Sequence, residues 1–276
     1  MKLTNPFRRS GGPLPPRGGR GAKLAEGRVA LVTGGAGLVG SAICRALALE
    51  GAAVAVVFHR SETRAHALVE ELRAGGARAA AWRADIRSER DVTAMAGGIA
   101  DALGAVDVLV NNAAPSPPAV GMRGFLEHGW NDYQTYVDTV LKGSVLCAQA
   151  VLPAMMARRF GRIINIGTAS VERVNAHLNP YVTAKAGLVG LTRSLAEEFG
   201  PYGITVNQVV PGWMWAEDRA PGPGEGEIFR SLSPLHPGVA GPDDVADAVA
   251  FLASDRAAMI TGAYLPVAAG QVMTPA

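Results

Sequence analysis

Tyr181 stands four residues before Lys185 in Tyr181-Val182-Thr183-Ala184-Lys185. On a helix, residues four apart stack on one face, so a phenol and an ammonium point into the same space. A nearby cation favours phenolate over phenol and lowers the tyrosine pKa from its ordinary value of about 10. A phenol tuned in this way can hand a proton to a carbonyl oxygen near neutral pH. The spacing alone is common on helix surfaces; its weight comes from what lies upstream.

Upstream, Thr33-Gly34-Gly35-Ala36-Gly37-Leu38-Val39-Gly40 follows an apolar strand pattern and opens a helical one. Glycine lets backbone approach a pyrophosphate, and a helix N-terminus offers free amides and a positive dipole. The plain alternative is a glycine-rich turn without a ligand. The second strand pattern ends Phe58-His59-Arg60-Ser61. An NAD site places an acid there for the adenosine ribose. A cation and a hydroxyl instead suit a 2′-phosphate, so His59, Arg60 and Ser61 favour NADP(H), against the alternative of a solvated charge at a strand end.

The elements that must position these residues alternate along the chain. Strands are expected at Val29–Val32, Val54–Phe58, Ala79–Arg83, Val106–Val110, Arg162–Ile166, Ile204–Val210 and Tyr264–Val267. Helices are expected from the glycines to about Glu50, and at Glu62–Arg73, Val92–Leu103, Trp130–Arg158, Tyr181–Phe199 and Asp243–Ala253. Apolar strands alternating with helices mean an α/β fold: a doubly wound, Rossmann-like parallel sheet in a single domain.

Size and charge bound the rest. Nearly half of the 276 residues are hydrophobic, enough for a sizeable core. The longest uninterrupted apolar run, Ala52 to Phe58, is too short to cross a bilayer. Cys44 and Cys147 fall in apolar helical patterns and read as buried free thiols of a cytoplasmic protein. The five histidines show no metal-ligand spacing. Residues 1–26 carry six basic residues against Glu26, are rich in Gly and Pro, and read as a disordered extension of the 27–276 domain. The remainder holds 20 basic and 23 acidic residues, which excludes a basic body for nucleic acid.

From about Gly27 to Met273 the chain resembles the single-domain short-chain dehydrogenase/reductases. The likeness rests on the glycine loop with Gly34, Gly37, Leu38 and Val39, then Asp85-Ile86, Asn111-Asn112-Ala113-Ala114, Tyr181 with Lys185, and Pro211-Gly212. The resemblance implies a nicotinamide cofactor contacted by these segments, Asn112 among them, with Asp85 and Ile86 at the adenine and Pro211 and Gly212 beside the nicotinamide. It implies Tyr181 as proton donor and Lys185 as its tuner and a ribose ligand. A serine thirteen residues before the tyrosine normally holds the substrate oxygen; that position is Thr168, with Ser170 as the other hydroxyl. Assembly as homotetramers or dimers through helices near 130–158 and 181–199 also follows from the resemblance.

Four positions depart from the family pattern. Leu38 replaces a glycine, as in pteridine-reductase-like members, which also carry His-Arg-Ser after the second strand. Val140 stands where an asparagine holds a relay water, Ala216 where a threonine is usual, and Val267-Ala268-Ala269-Gly270 lacks an aspartate. The segment 213–240 is expected to cover an apolar substrate. Trp213, Met214, Trp215, Phe229 and Leu232 line it, with Pro221, Pro223, Pro234 and Pro237 stiffening it; Pro115, Pro117, Pro118 and Phe125 form another wall. The expected function is NADPH-dependent reduction of an apolar or aromatic ketone. The alternatives are a secondary-alcohol dehydrogenase, a C=N reductase, and an NADPH-binding sensor or scaffold without turnover.

Overall fold

The computed structural model of the chain describes residues 23–115, 117–174, 176–214, 233–235 and 240–273. The extension through residue 22, and Trp215, Ala216, Pro221, Pro223, Phe229, Leu232 and Pro237, lie outside the described residues.

Seven parallel strands form one sheet in the order β3-β2-β1-β4-β5-β6-β7. They are β1 Val29–Thr33, β2 Ala53–Phe58, β3 Ala79–Arg83, β4 Val108–Asn111, β5 Gly161–Ile166, β6 Ile204–Pro211 and β7 Tyr264–Val267. Every residue of β1, β2, β4, β5 and β6 is buried, because helices cover both faces. Helices α1 Leu38–Leu49, α2 Glu62–Ala74 and α7 Pro242–Ala253 cover one face with Ile43, Leu47, Leu68, Val249 and Leu252. Helices α3 Glu89–Ala102, α5 Gly143–Arg158 and α6 Asn179–Phe199 cover the other with Met95, Ile99, Val151, Met155 and Ala196. Each of the larger of these side chains contributes about 1.5–3 kcal/mol of burial. β1 pairs with both β2 and β4. The strand order therefore reverses there, which opens a crevice at the carboxyl ends of the strands.

Several boundaries move from those expected. The fourth strand starts at Val108 rather than Val106 and runs through Asn111. α3 begins at Glu89, where the Ser88 side chain caps it by accepting from the Asp91 N–H. α6 begins at Asn179, two residues before Tyr181, with Pro180 in its first turn, where a missing N–H costs nothing. The long helix is interrupted: α4 Trp130–Tyr136 passes through a π turn, Val137–Lys142, before α5. Together they span 29 residues with a mean hydropathy of 1.5 in their most apolar window. That is apolar and long enough to cross a membrane by length and composition, and 44% of that window is buried inside the chain.

The folded part also begins earlier than residue 27. Ala25 is fully buried, its N–H donates to the Glu50 carbonyl at 3.0 Å, and the Leu24 N–H donates to Glu50 Oε2 at 2.7 Å. Lys23–Glu26 thus close over the end of α1, since a buried apolar side chain holds them there.

Candidate active site

A cavity of about 740 Å³ lies along the carboxyl ends of the strands. All fifteen residues singled out from the sequence for catalysis or cofactor binding line it: Thr168, Tyr181 and Lys185 together with Gly34, Gly37, Leu38, Val39, His59, Arg60, Ser61, Asp85, Ile86, Asn112, Pro211 and Gly212. Its size suits a cofactor and a small substrate.

The glycine loop is braced from the fourth strand. Asn112 Nδ2 donates to the carbonyls of Thr33 at 2.9 Å and Gly34 at 3.2 Å. Thr33 Oγ1 accepts from the Asn112 and Ala113 N–H groups at 3.0 and 3.1 Å. Gly34 has φ +62°, a conformation that favours glycine. A Cβ on Gly40 would lie 2.2 Å from the Gly34 carbonyl oxygen and 2.8 Å from Asn112 Nδ2. The loop thus packs on itself, leaving the N-terminus of α1 facing the cavity. At the tip of β2, Arg60 is exposed, and the Ser61 hydroxyl accepts from Arg64 Nη2 at 2.9 Å rather than capping α2. This end fits a phosphorylated dinucleotide: free amides for a pyrophosphate, and cations where an adenosine 2′ group would lie.

At the other end, α6 carries Tyr181 and Lys185 and is bonded to β5 twice. Lys185 Nζ donates to the Ile166 carbonyl at 2.6 Å. Two turns on, Thr192 Oγ1 accepts from Asn165 Nδ2 at 2.9 Å, and Asn165 Oδ1 accepts from Asn111 Nδ2 at 2.9 Å. These buried bonds fix the helix against β4 and β5. The Thr168 side chain lies near enough to the Tyr181 hydroxyl to favour its ionised form. Tyr136, fully buried, meets the Tyr181 ring edge-on at 5.7 Å.

Between the two hydroxyls, Thr168 is buried, lines the cavity and lies near Tyr181. Ser170 does not line it; its N–H donates to Thr168 Oγ1 at 3.3 Å.

The electrostatics differ from the sequence expectation. Burial pushes the Tyr181 hydroxyl above the ordinary phenol value, partly offset by the nearby Thr168 side chain. Burial lowers the Lys185 ammonium from 10.5 to about 8. The expected lowering of Tyr181 by Lys185 is absent, because Lys185 points at the Ile166 carbonyl and withdrawal from water works against both charged forms. Val140, at the relay position, is 1% exposed and packs with Tyr136, Ala184 and Leu188, so the region beside the lysine helix is apolar there.

The substrate wall also needs revision. Pro115, Ala119 and Met214 line the cavity, but Trp213 does not and Phe125 is 65% exposed. Pro234 packs on Gly270. Residues the sequence reading did not select also line the cleft: Thr135 on α4, Thr139 in the π turn that follows it, and Arg87. The helical spacing of the two threonines was a usable signal. Nothing in the sequence marked Arg87, whose place depends on how the chain leaves β3.

Comparison with known proteins agrees with this geometry. The family model described as enoyl-(acyl carrier protein) reductase matches residues 35–271. The 3-oxoacyl-[acyl-carrier-protein] reductase FabG of Staphylococcus aureus is 38% identical over 245 residues, covering 88% of this chain and 98% of that protein. The (2S)-[(R)-hydroxy(phenyl)methyl]succinyl-CoA dehydrogenase subunit BbsD of Thauera aromatica is 39% identical over 251 residues, 89% of this chain and 97% of that one. A crystal structure of a blue fluorescent protein from a metagenomic library, in complex with NADPH, superposes with a TM-score of 0.81 at 35% identity, covering 90% of this chain and 99% of its own.

Proposed function

Because the chain belongs to the short-chain dehydrogenase/reductase family, we propose that it is an NADPH-dependent reductase of a ketone, with Tyr181 as the proton donor. The observation that carries this reading is the convergence of Thr168, Tyr181 and buried Lys185 on one cavity, which also presents Arg60 and Ser61. A reduced nicotinamide bound there supplies the hydride. Thr168 donates to the substrate oxygen and holds it next to the Tyr181 hydroxyl. Tyr181 gives that oxygen its proton as the alcohol forms. Lys185 is reserved for the cofactor ribose. Gly34–Gly40 and the first turn of α1 hold the pyrophosphate, and Arg60 and Ser61 the 2′-phosphate.

Ala113, Ala114, Pro115, Ala119, Ile166 and Met214 give the cavity apolar lining, beside the hydroxyls of Thr135 and Thr139. That lining supports an apolar or aromatic ketone. The names of the S. aureus and T. aromatica relatives point to acyl thioesters bearing an oxo or hydroxyl group. The substrate screen therefore pairs aromatic ketones with 3-oxoacyl thioesters. A cytoplasmic homo-oligomer is part of the proposal; the incomplete burial of the apolar Trp130–Arg158 segment supports its assembly.

Tyr181→Phe tests the central assignment. With a ketone that the unmodified chain accepts, NADPH oxidation should fall about 10²–10⁴-fold, while NADPH titration is unchanged. Retained turnover would remove Tyr181 as the acid.

A further inference from the structure

At the far end of the cavity from Tyr181, the Asp85 carboxylate turns towards the tip of β2, with Oδ2 4.0 Å from His59 Nε2. A bare carboxylate there would face the His59–Ser61 segment and repel a 2′-phosphate bound to it. Arg87 prevents this. Its Nη2 reaches Asp85 Oδ2 at 2.7 Å, its Nε reaches Oδ1 at 2.9 Å, and its own N–H donates to Oδ1 at 3.0 Å. The two-pronged geometry fixes guanidinium and carboxylate as one unit. The Arg87 side chain beside Asp85 holds that carboxyl at about 2, so it is ionised throughout the working range. Asp138 also acts on Arg87, which leaves two acids unmatched if the guanidinium is lost.

We propose that Arg87 is a specificity-determining residue for NADP(H): it cancels the charge of Asp85, so that Arg60, Ser61 and Arg64 form the net positive end that accepts the 2′-phosphate. The inference rests on the NADPH reading above. It assigns Arg87 a role through Asp85 rather than a direct contact with the phosphate.

The test is titration of NADPH and of NADH, followed by cofactor fluorescence, into the unmodified chain, Arg87→Gln, and the double variant Asp85→Asn/Arg87→Gln. Taking the ratio of the two affinities removes any common loss at the adenine. The unmodified chain should prefer NADPH, and Arg87→Gln should lose about tenfold of that preference, less at high salt. The double variant should regain it. Preference retained in Arg87→Gln, or not regained in the double variant, overturns the role of Arg87. An unmodified chain that prefers NADH overturns the cofactor reading itself. Arg87→Lys, which keeps the charge without the fork, covers the case in which Arg87→Gln fails to fold. It should keep most of the preference, and its loss of preference also overturns the proposal.

Discussion

Lys185 is the clearest case of a residue whose functional position costs stability. It is 3% exposed, and its ammonium is lowered from 10.5 to about 8 by burial. A folded-state pKa below the unfolded one means that the unfolded chain binds more protons between those values, so stability rises with pH across that window. Below pH 8 the penalty is fully present; above 10.5 it is gone. The interval of 10.5 to about 8, at about 1.4 kcal/mol per pH unit, amounts to about 3.4 kcal/mol. Between pH 7 and pH 10 about 2.5 kcal/mol of it should be relieved. Lys185→Met removes the titration. It also removes the bond to the Ile166 carbonyl, which is worth about 1 kcal/mol. That loss is nearly the same at both pH values, so it cancels when the two are compared. Urea denaturation of both chains at pH 7 and pH 10 should therefore show Lys185→Met gaining on the unmodified chain by about 2.5 kcal/mol at the lower pH. A gap that does not change with pH would refute burial as the cause of the shift.

Two further variants separate binding from chemistry. Thr168→Ala should lower kcat about 10²-fold, as loss of a donor to a developing oxyanion does. Ser170→Ala should stay within about twofold, since its side chain is away from the cavity; steady-state kinetics with one ketone decides between them. Gly40→Ala places a methyl 2.2 Å from the Gly34 carbonyl oxygen. The loop must shift, at about 1–3 kcal/mol of overpacking, and NADPH affinity should drop at least about tenfold. Thermal melting and NADPH titration measure the two effects.

The sheet was legible because strands buried on both faces read as continuous apolar runs, Val29–Thr33 and Ala53–Phe58 above all. The glycine loop, Tyr181 and Lys185 were legible because their chemistry depends on local spacing. Other features were not. The π turn at Val137–Lys142 keeps the same hydrophobic content as a regular helix, so composition does not reveal it. The burial of Ala25 depends on Glu50, which is far along the chain. The pKa of Tyr181 also could not be read from the four-residue spacing. A cation stabilises a phenolate most where the ammonium is directed at it; here Nζ goes to a carbonyl, and burial disfavours both charged forms. Arg87 is beside Asp85 in sequence, yet only the turn after β3 makes them a bidentate pair.

The direction of the Tyr181 shift bears on the direction of the reaction. Burial works against the Tyr181 phenolate and favours the protonated hydroxyl, the form that donates to a carbonyl oxygen. Oxidation of an alcohol requires the phenolate, and the nearby Thr168 side chain offsets burial only in part. Lys185 pulls the balance the same way. With its ammonium lowered to about 8, it carries less charge to stabilise a phenolate as pH rises, just where an alcohol dehydrogenase would need one. The Arg60–Ser61 end, suited to the phosphorylated cofactor, and the neutral phenol at the reacting end therefore agree. The same burial that lowers the Lys185 ammonium disfavours the Tyr181 phenolate, which fits the proposed direction of reduction.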